Sequence, residues 1–220
     1  TDKGLMGLHL LDGLFEGLDK AGVKYTVYDG TQPNPTIDNI EEARKLYIDN
    51  NCSAVIAFGG GSPMDCAKAA AARIARPNKT VQQMRGTLKI LKKLPTLYAV
   101  PTTAGTGSET TIAAVVSDPR THEKYALQDP VLRPKYAVLD PELTIGLPPH
   151  ITSTTGMDAL TTATPRAPQR RPRKRPDLYL TTYLRLTRTA RISRRERICS
   201  SPPTLRVSPS PELMSAMSTR

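Results

Sequence analysis

Residues 54–68 read AVIAFGGGSPMDCAK and decide how the chain around them folds. The apolar run at 54–58 is short and lies between Ser53 and glycines, which is typical of a strand buried in a sheet. The alanine-rich stretch from about Pro63 to Ala75 predicts a helix. Three glycines between the two allow a sharp turn and let a ligand approach the backbone closely. Residues 54–75 therefore predict a strand, a glycine turn and a helix in succession.

The residues after the glycines favour an anion at the start of that helix. We expect Ser62 to cap the helix, Pro63 to occupy its first position, and Asp65 to complete a capping-box pattern. Exposed amides and the positive end of the helix dipole favour a phosphate there. The alternative is a turn that only connects strand to helix. The pattern is neither GxGxxG nor GxxxxGK[ST].

A second loop of small and polar residues follows another predicted strand. It reads PTTAGTGSET at 101–110, directly after the apolar residues 97–100. Ligands of open α/β sheets lie at the carboxyl ends of strands, so we expect the two loops to line one crevice. Their hydroxyls and amides suit a phosphate or an amide-bearing ring. An ordinary serine/threonine loop that caps the next helix is the alternative, and the residues alone leave both open.

Helices and strands alternate elsewhere in the first part of the chain. Apolar spacings of three and four predict a helix over 8–18 that ends near Gly22, and another over 37–51. Alternating apolar residues predict a strand over 23–28, and short buried strands are predicted at 97–100 and 136–139. The predicted fold class is therefore α/β with a parallel sheet.

The charge of the chain is concentrated at one end. The 220 residues carry a net charge of +11. Residues 163–220 hold fourteen basic and three acidic side chains and no glycine, whereas the first 162 residues hold seventeen basic and seventeen acidic side chains. The basic charge therefore marks a change of composition near Thr162, and it describes the tail rather than the whole protein.

Other features limit the class of protein. The longest apolar runs fall far short of the roughly 20 residues of a membrane helix, so we expect no membrane span. Cys52, Cys66 and Cys199 are odd in number and scattered, which favours a reducing compartment. The chain begins at Thr1 without Met, so we also interpret it as a fragment at its front end.

Taken together, the motifs of residues 1–161 resemble the iron-containing (group III) alcohol dehydrogenases, in family order and at family spacing. The matching segments are TDK at 1–3, YDG at 28–30, PNPT at 33–36, GGGSPMDCAK at 59–68, PTTAGTGSE at 101–109, Lys124, LDPEL at 139–143, LPP at 147–149 and TGMDALT at 155–161. The resemblance implies a Rossmann-like NAD-binding domain over 1–161, followed in the family by an all-helical domain. It also implies a cytoplasmic protein with a small alcohol or aldehyde substrate and, often, a homo-oligomer.

The resemblance also implies which residues bind the cofactor. Asp2 would contact the adenosine ribose and favour NAD over NADP, because a carboxylate repels a 2′-phosphate. Gly61 and Ser62 would hold the pyrophosphate, in agreement with the helix-terminus argument. The remaining cofactor contacts that the resemblance implies are Asn34, Thr102, Thr103, Val115 and Lys124.

The implied metal site departs from the family pattern. Asp158 matches the first ligand of a divalent metal, usually iron and sometimes zinc, but Thr162 stands where the family has a histidine. The chain has only His9, His122 and His150, none in a ligand context. A catalytic metal generally needs three protein ligands, so we expect the metal not to be bound stably and the activity of this chain to be lost.

The tail over 162–220 has no recognisable domain and is expected to be mostly disordered. Its enrichment in Arg, Pro, Ser and Thr is typical of a shifted reading frame over GC-rich coding sequence, and we interpret the break as a frameshift. An alternative is a basic tail that binds nucleic acid non-specifically through clusters such as 170–175. A third hypothesis is a cofactor-binding remnant without turnover.

Overall fold

The computed structural model describes residues 1–163, and side-chain surroundings up to residue 159. The predictions for the basic tail, including its disorder, lie outside the described residues apart from Thr162 and Ala163. The helices are α1 (Lys3–Gly7), α2 (Asp12–Lys20), α3 (Ile37–Asp49), α4 (Gly61–Ala75), α5 (Glu142–Ile145) and α6 (Pro149–Ala163). The strands are β1 (Ala54–Gly59), β2 (Gly86–Thr87), β3 (Thr96–Pro101), β4 (Ala113–Asp118), β5 (Glu123–Gln128) and β6 (Tyr136–Ala137).

The main sheet is parallel, which confirms the predicted fold class. Its strand order is β1-β3-β6, with Ala54 opposite Thr96 and Gly59 opposite Pro101. Helix α4 leaves β1 through the glycine turn and packs on β1, β3, β4 and α3. Its alanines at 69–72 are buried, because small side chains let the helix lie close to the strands. The segment that opened the sequence analysis therefore forms the centre of the fold.

A second sheet joins the core and was not predicted. Its order is β2-β5-β4, with β2 parallel to β5 and β4 antiparallel to β5. The inward residues alternate along the hairpin, as Ala114 and Val116 do on β4 and Tyr125 and Leu127 on β5. This period of two around the turn at 119–122 is the signal that sequence reasoning missed. The hairpin packs with α3 and α4 in the largest apolar cluster.

The strand predicted over 23–28 is wrong. Residues 23–29 form no ladder with any part of residues 1–163, and the neighbouring Gly30 makes only an isolated bridge to Asp2. The ring of Tyr25 stacks on Phe15 with centroids 5.1 Å apart. A strand requires a ladder of hydrogen bonds to a neighbouring strand. Within the described residues, the amine of Thr1 donates to the carbonyl oxygen of Tyr28 at 3.0 Å, but no ladder follows from this contact.

Burial of the predicted strands is uneven. Ala57 and Phe58 are buried on β1, whereas Ala54 and Ile56 on the same strand are exposed. On β6, Tyr136 is 46% exposed, so this strand is not the buried strand that we predicted. The ring of Tyr136 is covered in part by Tyr98 of β3, on which it stacks with centroids 5.0 Å apart. None of the helices in this part of the chain has the length and apolar character needed to cross a bilayer.

Candidate functional site

Two loops meet at the carboxyl edge of the main sheet. The glycine turn at 59–61 follows β1, and the Thr-rich loop, residues 101–109, follows β3 beside it. The amide of Thr102 donates to the carbonyl oxygen of Gly59 at 3.0 Å. A Cβ placed on Gly60 would lie 3.3 Å from Cγ2 of Thr103, and one on Gly61 would lie 3.4 Å from Cγ2 of Thr106. The two loops therefore adjoin, as expected for loops that follow neighbouring parallel strands.

The start of α4 differs from the capping pattern that we predicted. Gly60 is the N-cap, in an extended conformation and without a side-chain hydrogen bond, and the helix begins at Gly61. Ser62 therefore lies inside the first turn, and its Oγ accepts from the amide of Asn34 at 3.2 Å. The carboxylate of Asp65 accepts from the amide of Val115 at 3.0 Å rather than capping the helix. The helix therefore begins at Gly61, two residues before the start at Pro63 that the predicted cap implies.

Within residues 1–163, the first-turn amides of α4 receive no side-chain acceptor from the N-cap Gly60. Because Pro63 has no N–H, the amides concerned are those of Gly61 and Ser62. The first N–H groups of a helix have no partner within the helix itself. An anion can satisfy them, and the helix dipole favours negative charge at the same place. The structure thus keeps the anion-binding chemistry that the glycine turn suggests, although the cap residue is different.

Several buried oxygens in the Thr-rich loop have no hydrogen-bond partner within the described residues. They are Oγ1 of Thr103, Oγ1 of Thr106 and Oε2 of Glu109. A buried polar atom without a partner costs about 1–3 kcal/mol. These oxygens lie beside the helix amides described above, which also have no side-chain acceptor within the described residues. A polar ligand or an ordered water would satisfy both sets of groups.

The structure brings Asn34, Gly61, Ser62 and Thr103 together at this edge. Asn34 is exposed, with a φ of 59°, and its amide reaches Ser62 as described. Thr102 lies beneath them and is buried. Asn34, Gly61, Ser62, Thr102 and Thr103 therefore belong to the implied cofactor site and lie in or beside the two loops.

Asp2, Val115 and Lys124 are the remaining residues of the implied cofactor site. The carboxylate of Asp2 caps α1 by accepting from the amide of Leu5 at 2.9 Å. A Cβ on Gly59 would lie 2.9 Å from Cδ1 of Leu5, so α1 adjoins the glycine turn. Val115 is tied to α4 through Asp65, and Lys124 is exposed on β5.

Asp158, the implied metal ligand, is an exposed residue of α6. Helix α6 reaches the Thr-rich loop, because a Cβ on Gly105 would overlap the carbonyl oxygen of Thr155. Asp158 lies one turn further along the same helix. No group of three or more His, Cys, Asp or Glu side chains with the geometry of a metal site occurs in the part of the chain that the structure describes.

Lys68 is a site residue that sequence reasoning missed. Its side chain is fully buried, and Nζ donates to the carbonyl oxygen and Oγ1 of Thr111, both at 2.9 Å, and to the carbonyl oxygen of Ala113 at 3.0 Å. Burial lowers the pKa of Lys68 to about 8, and the charges of Asp65 and Glu109 oppose that shift. A lysine within a run of buried alanines is the signal that points to such a residue.

The shifted pKa of Lys68 predicts a pH-dependent stability. Its folded-state pKa, about 8, lies below the ordinary value of 10.5. Between these values the unfolded chain binds a proton that the folded chain lacks, so the free energy of unfolding rises with pH. We expect the unaltered chain to gain stability relative to Lys68→Met from pH 8 towards 10, with a slope of at most about 1.4 kcal/mol per pH unit. Urea unfolding followed by circular dichroism measures it, and a constant difference would contradict it.

Comparison with known proteins gives a consistent set of relatives. The sequence profile of the family described as iron-containing alcohol dehydrogenase matches residues 1–141. Alcohol dehydrogenase 4 of Schizosaccharomyces pombe is 39% identical over 163 residues, which are 74% of this chain and 38% of that protein. The match to relatives thus covers most of the described residues.

Solved structures agree with these sequence relatives. Alcohol dehydrogenase from Oenococcus oeni superposes with a TM-score of 0.67 at 37% identity, covering 70% of this chain and 40% of that one. Sulfoacetaldehyde reductase from Bifidobacterium kashiwanohense, solved in complex with NAD+, superposes with a TM-score of 0.65 at 34% identity, covering 74% and 43%. The matched part therefore spans about two fifths of the length of these relatives.

Proposed function

This chain belongs to the iron-containing alcohol dehydrogenase family, and on that premise we propose that residues 1–161 form the NAD-binding part of an oxidoreductase. The reaction of the family interconverts an alcohol and its aldehyde or ketone. The proposed substrate is therefore a small alcohol or aldehyde, and the cofactor is NAD rather than NADP. We further propose a cytoplasmic, homo-oligomeric protein.

The observation that carries this proposal is the junction of the glycine turn with the Thr-rich loop. The free first-turn amides of α4 suit the pyrophosphate of a dinucleotide. The partnerless Oγ1 atoms of Thr103 and Thr106 supply further polar groups beside them. Gly60 and Gly61 keep the approach open, because a Cβ there would lie within 3.4 Å of the opposite loop. These residues fit the dinucleotide.

When bound, the nicotinamide ring accepts or donates a hydride. The residues of this chain bind and orient the dinucleotide. Gly61 and Ser62 hold the pyrophosphate, and Asp2 contacts the adenosine ribose. Asn34 lines the same nucleotide site, and Thr102 and Thr103 contact the cofactor from the second loop. Val115 packs beside it, and the ammonium group of Lys124 reaches it. Each of these roles is part of the proposal.

The residues of this chain fit the metal poorly. Asp158 is one carboxylate, and the next ligand position on α6 holds Thr162. The described residues contain no further cluster of metal ligands, so the proposed roles of this chain's residues are confined to binding the dinucleotide. A second candidate function is accordingly a nucleotide-binding remnant without turnover, with a basic tail that contacts nucleic acid non-specifically. An affinity for nucleic acid that barely weakens between low and moderate salt would contradict phosphate contacts by that tail.

Binding and metal content measured together test the proposal. NADH is titrated into the full chain and followed by its fluorescence, and the metal is quantified by mass spectrometry on the same sample. We expect saturable NADH binding without stoichiometric metal. Absence of NADH binding would contradict the proposed function. Robust alcohol oxidation would instead contradict the inference that the metal site is incomplete.

Cofactor preference is tested at Asp2. Asp2→Ser keeps an oxygen that can cap α1 but removes the carboxylate that would repel a 2′-phosphate. We expect the ratio of the NADPH and NADH dissociation constants to shift towards NADPH by about tenfold, or ~1.4 kcal/mol. Asp12→Ser, at an exposed position of α2, is the matched control. An unchanged ratio of the two dissociation constants in Asp2→Ser would show that Asp2 does not contact the adenosine ribose.

The change of composition at Thr162 has a separate test. We propose that a shift of reading frame replaced the family's helical domain. The other two frames of the coding DNA after the Thr161 codon are translated. We expect one of them to give His at the next position, followed by a family-like helical sequence. If neither frame gives this sequence, the frameshift hypothesis is refuted.

A further inference from the structure

We propose that Lys68 and Asp65 act together as positioning residues, holding the Thr-rich loop and the start of β4 in the arrangement that binds the dinucleotide. This inference rests on the proposed function and adds a role for two side chains of the GGGSPMDCAK segment. Neither is placed among the residues that contact the cofactor. Both act through the loop that does.

The two side chains lie three residues apart on α4, so they project from the same face of the helix. Lys68 donates to the backbone at Thr111 and Ala113, and Asp65 accepts from the amide of Val115. The three backbone positions follow one another at the exit of the loop. We call these contacts the clasp. It joins one turn of α4 to a segment more than 40 residues later in the chain.

The clasp fixes one end of a loop whose other end is already held. At the entrance, the amide of Thr102 is bonded to Gly59. Between the two anchors lie Gly105 and Gly107, the latter with a φ of 62°. Because glycines restrict the backbone little, the position of the intervening residues depends on the anchors. The clasp therefore contributes, together with the contact of Gly105 with Thr155 of α6, to where the Thr103 and Thr106 hydroxyls lie relative to the start of α4.

Charge and burial make the clasp specific to a lysine. Its ammonium group donates three hydrogen bonds and is compact enough for a fully buried position. The charged groups around it are Asp65 on the same helix and Glu109 on the loop, and Lys124 of β5 acts on Asp65. Methionine matches the length of the lysine stem but cannot donate, so it removes the clasp while filling the space.

Hydrogen exchange and NADH titration on the full chain test the clasp. We expect Lys68→Met to speed amide exchange in residues 103–111 about tenfold and to raise the NADH dissociation constant by a similar factor. Lys45→Met, which removes an exposed lysine paired with Asp49 on α3, is the matched control and should change neither. A merely structural role would change exchange across the whole core rather than in the loop.

Thr111→Val keeps the test decisive if Lys68→Met fails to fold. It removes one of the three acceptors at an exposed residue, and we expect about threefold changes in both measurements. Unchanged exchange and unchanged NADH affinity in the variants would overturn the role of Lys68. If the unaltered chain does not bind NADH at all, the proposed function fails, and the role of the clasp in nucleotide binding fails with it. Loop exchange, which needs no nucleotide, separates the two failures.

Discussion

Gly61→Val is expected to raise the NADH dissociation constant about 100-fold, which corresponds to ~2.7 kcal/mol of binding free energy. Gly61 is the first residue of α4, and a Cβ there would already lie 3.4 Å from Thr106 and 3.6 Å from Oγ of Ser108. The two methyl groups of valine would occupy the space between the loops and block the approach of a phosphate to the helix amides. Fluorescence titration of NADH measures the effect.

The control for this variant is Gly17→Val on α2, where a Cβ meets nothing within 4 Å. It carries the same cost of a β-branched residue in a helix but lies away from the loops. We expect its NADH affinity to match that of the unaltered chain. Equal affinity of Gly61→Val and Gly17→Val would show that the dinucleotide does not bind at the glycine turn.

Gly59→Ala is expected to lower the free energy of unfolding by about 2–5 kcal/mol. Gly59 has a φ of 141°, a conformation that residues with a side chain rarely adopt. An added Cβ would also lie 2.7 Å from Cγ of Pro63 and 2.9 Å from Cδ1 of Leu5. Backbone strain and overpacking therefore act at the same residue. Urea unfolding of the full chain, followed by circular dichroism, gives the difference.

The opposite result is expected at Gly13. This glycine lies in α2 with open space around it, and alanine is favoured over glycine in a helix by about 0.8–1 kcal/mol. Gly13→Ala should therefore stabilise the chain slightly. If Gly59→Ala is no more destabilised than Gly13→Ala, the left-handed turn at the end of β1 is not required for the fold.

The parallel sheet was predictable because its signals are local. Apolar residues at 54–58 and 97–100, each followed by a loop of small residues, predict strands whose ends meet. The order of the motifs then predicts the family, which the comparisons confirm. The hairpin of β4 and β5 carries an equally local signal, an alternation around a turn, and it was missed because residues 113–128 were not interpreted as strands.

Other features of the fold depend on contacts with residues that are distant in the sequence. Residues 23–28 alternate as a strand does, yet their backbone finds no ladder within residues 1–163. Serine is a residue type common at helix N-caps, but Gly60 is the N-cap of α4, and Oγ of Ser62 accepts from the amide of Asn34 instead. In both cases several conformations satisfy the local chemistry, and contacts with distant residues select one of them.

The sequence by itself determined the α/β class, the family, the two loops of the proposed cofactor site, and the change of composition at Thr162. These features can be predicted from the order of the residues, because turns and apolar periodicity depend on residues that are close together in the sequence. Only the tertiary structure decided that Lys68 and Asp65 tie α4 to residues 111–115, more than 40 residues away. Such a contact depends on which helix faces which strand, and packing of the whole core sets that geometry.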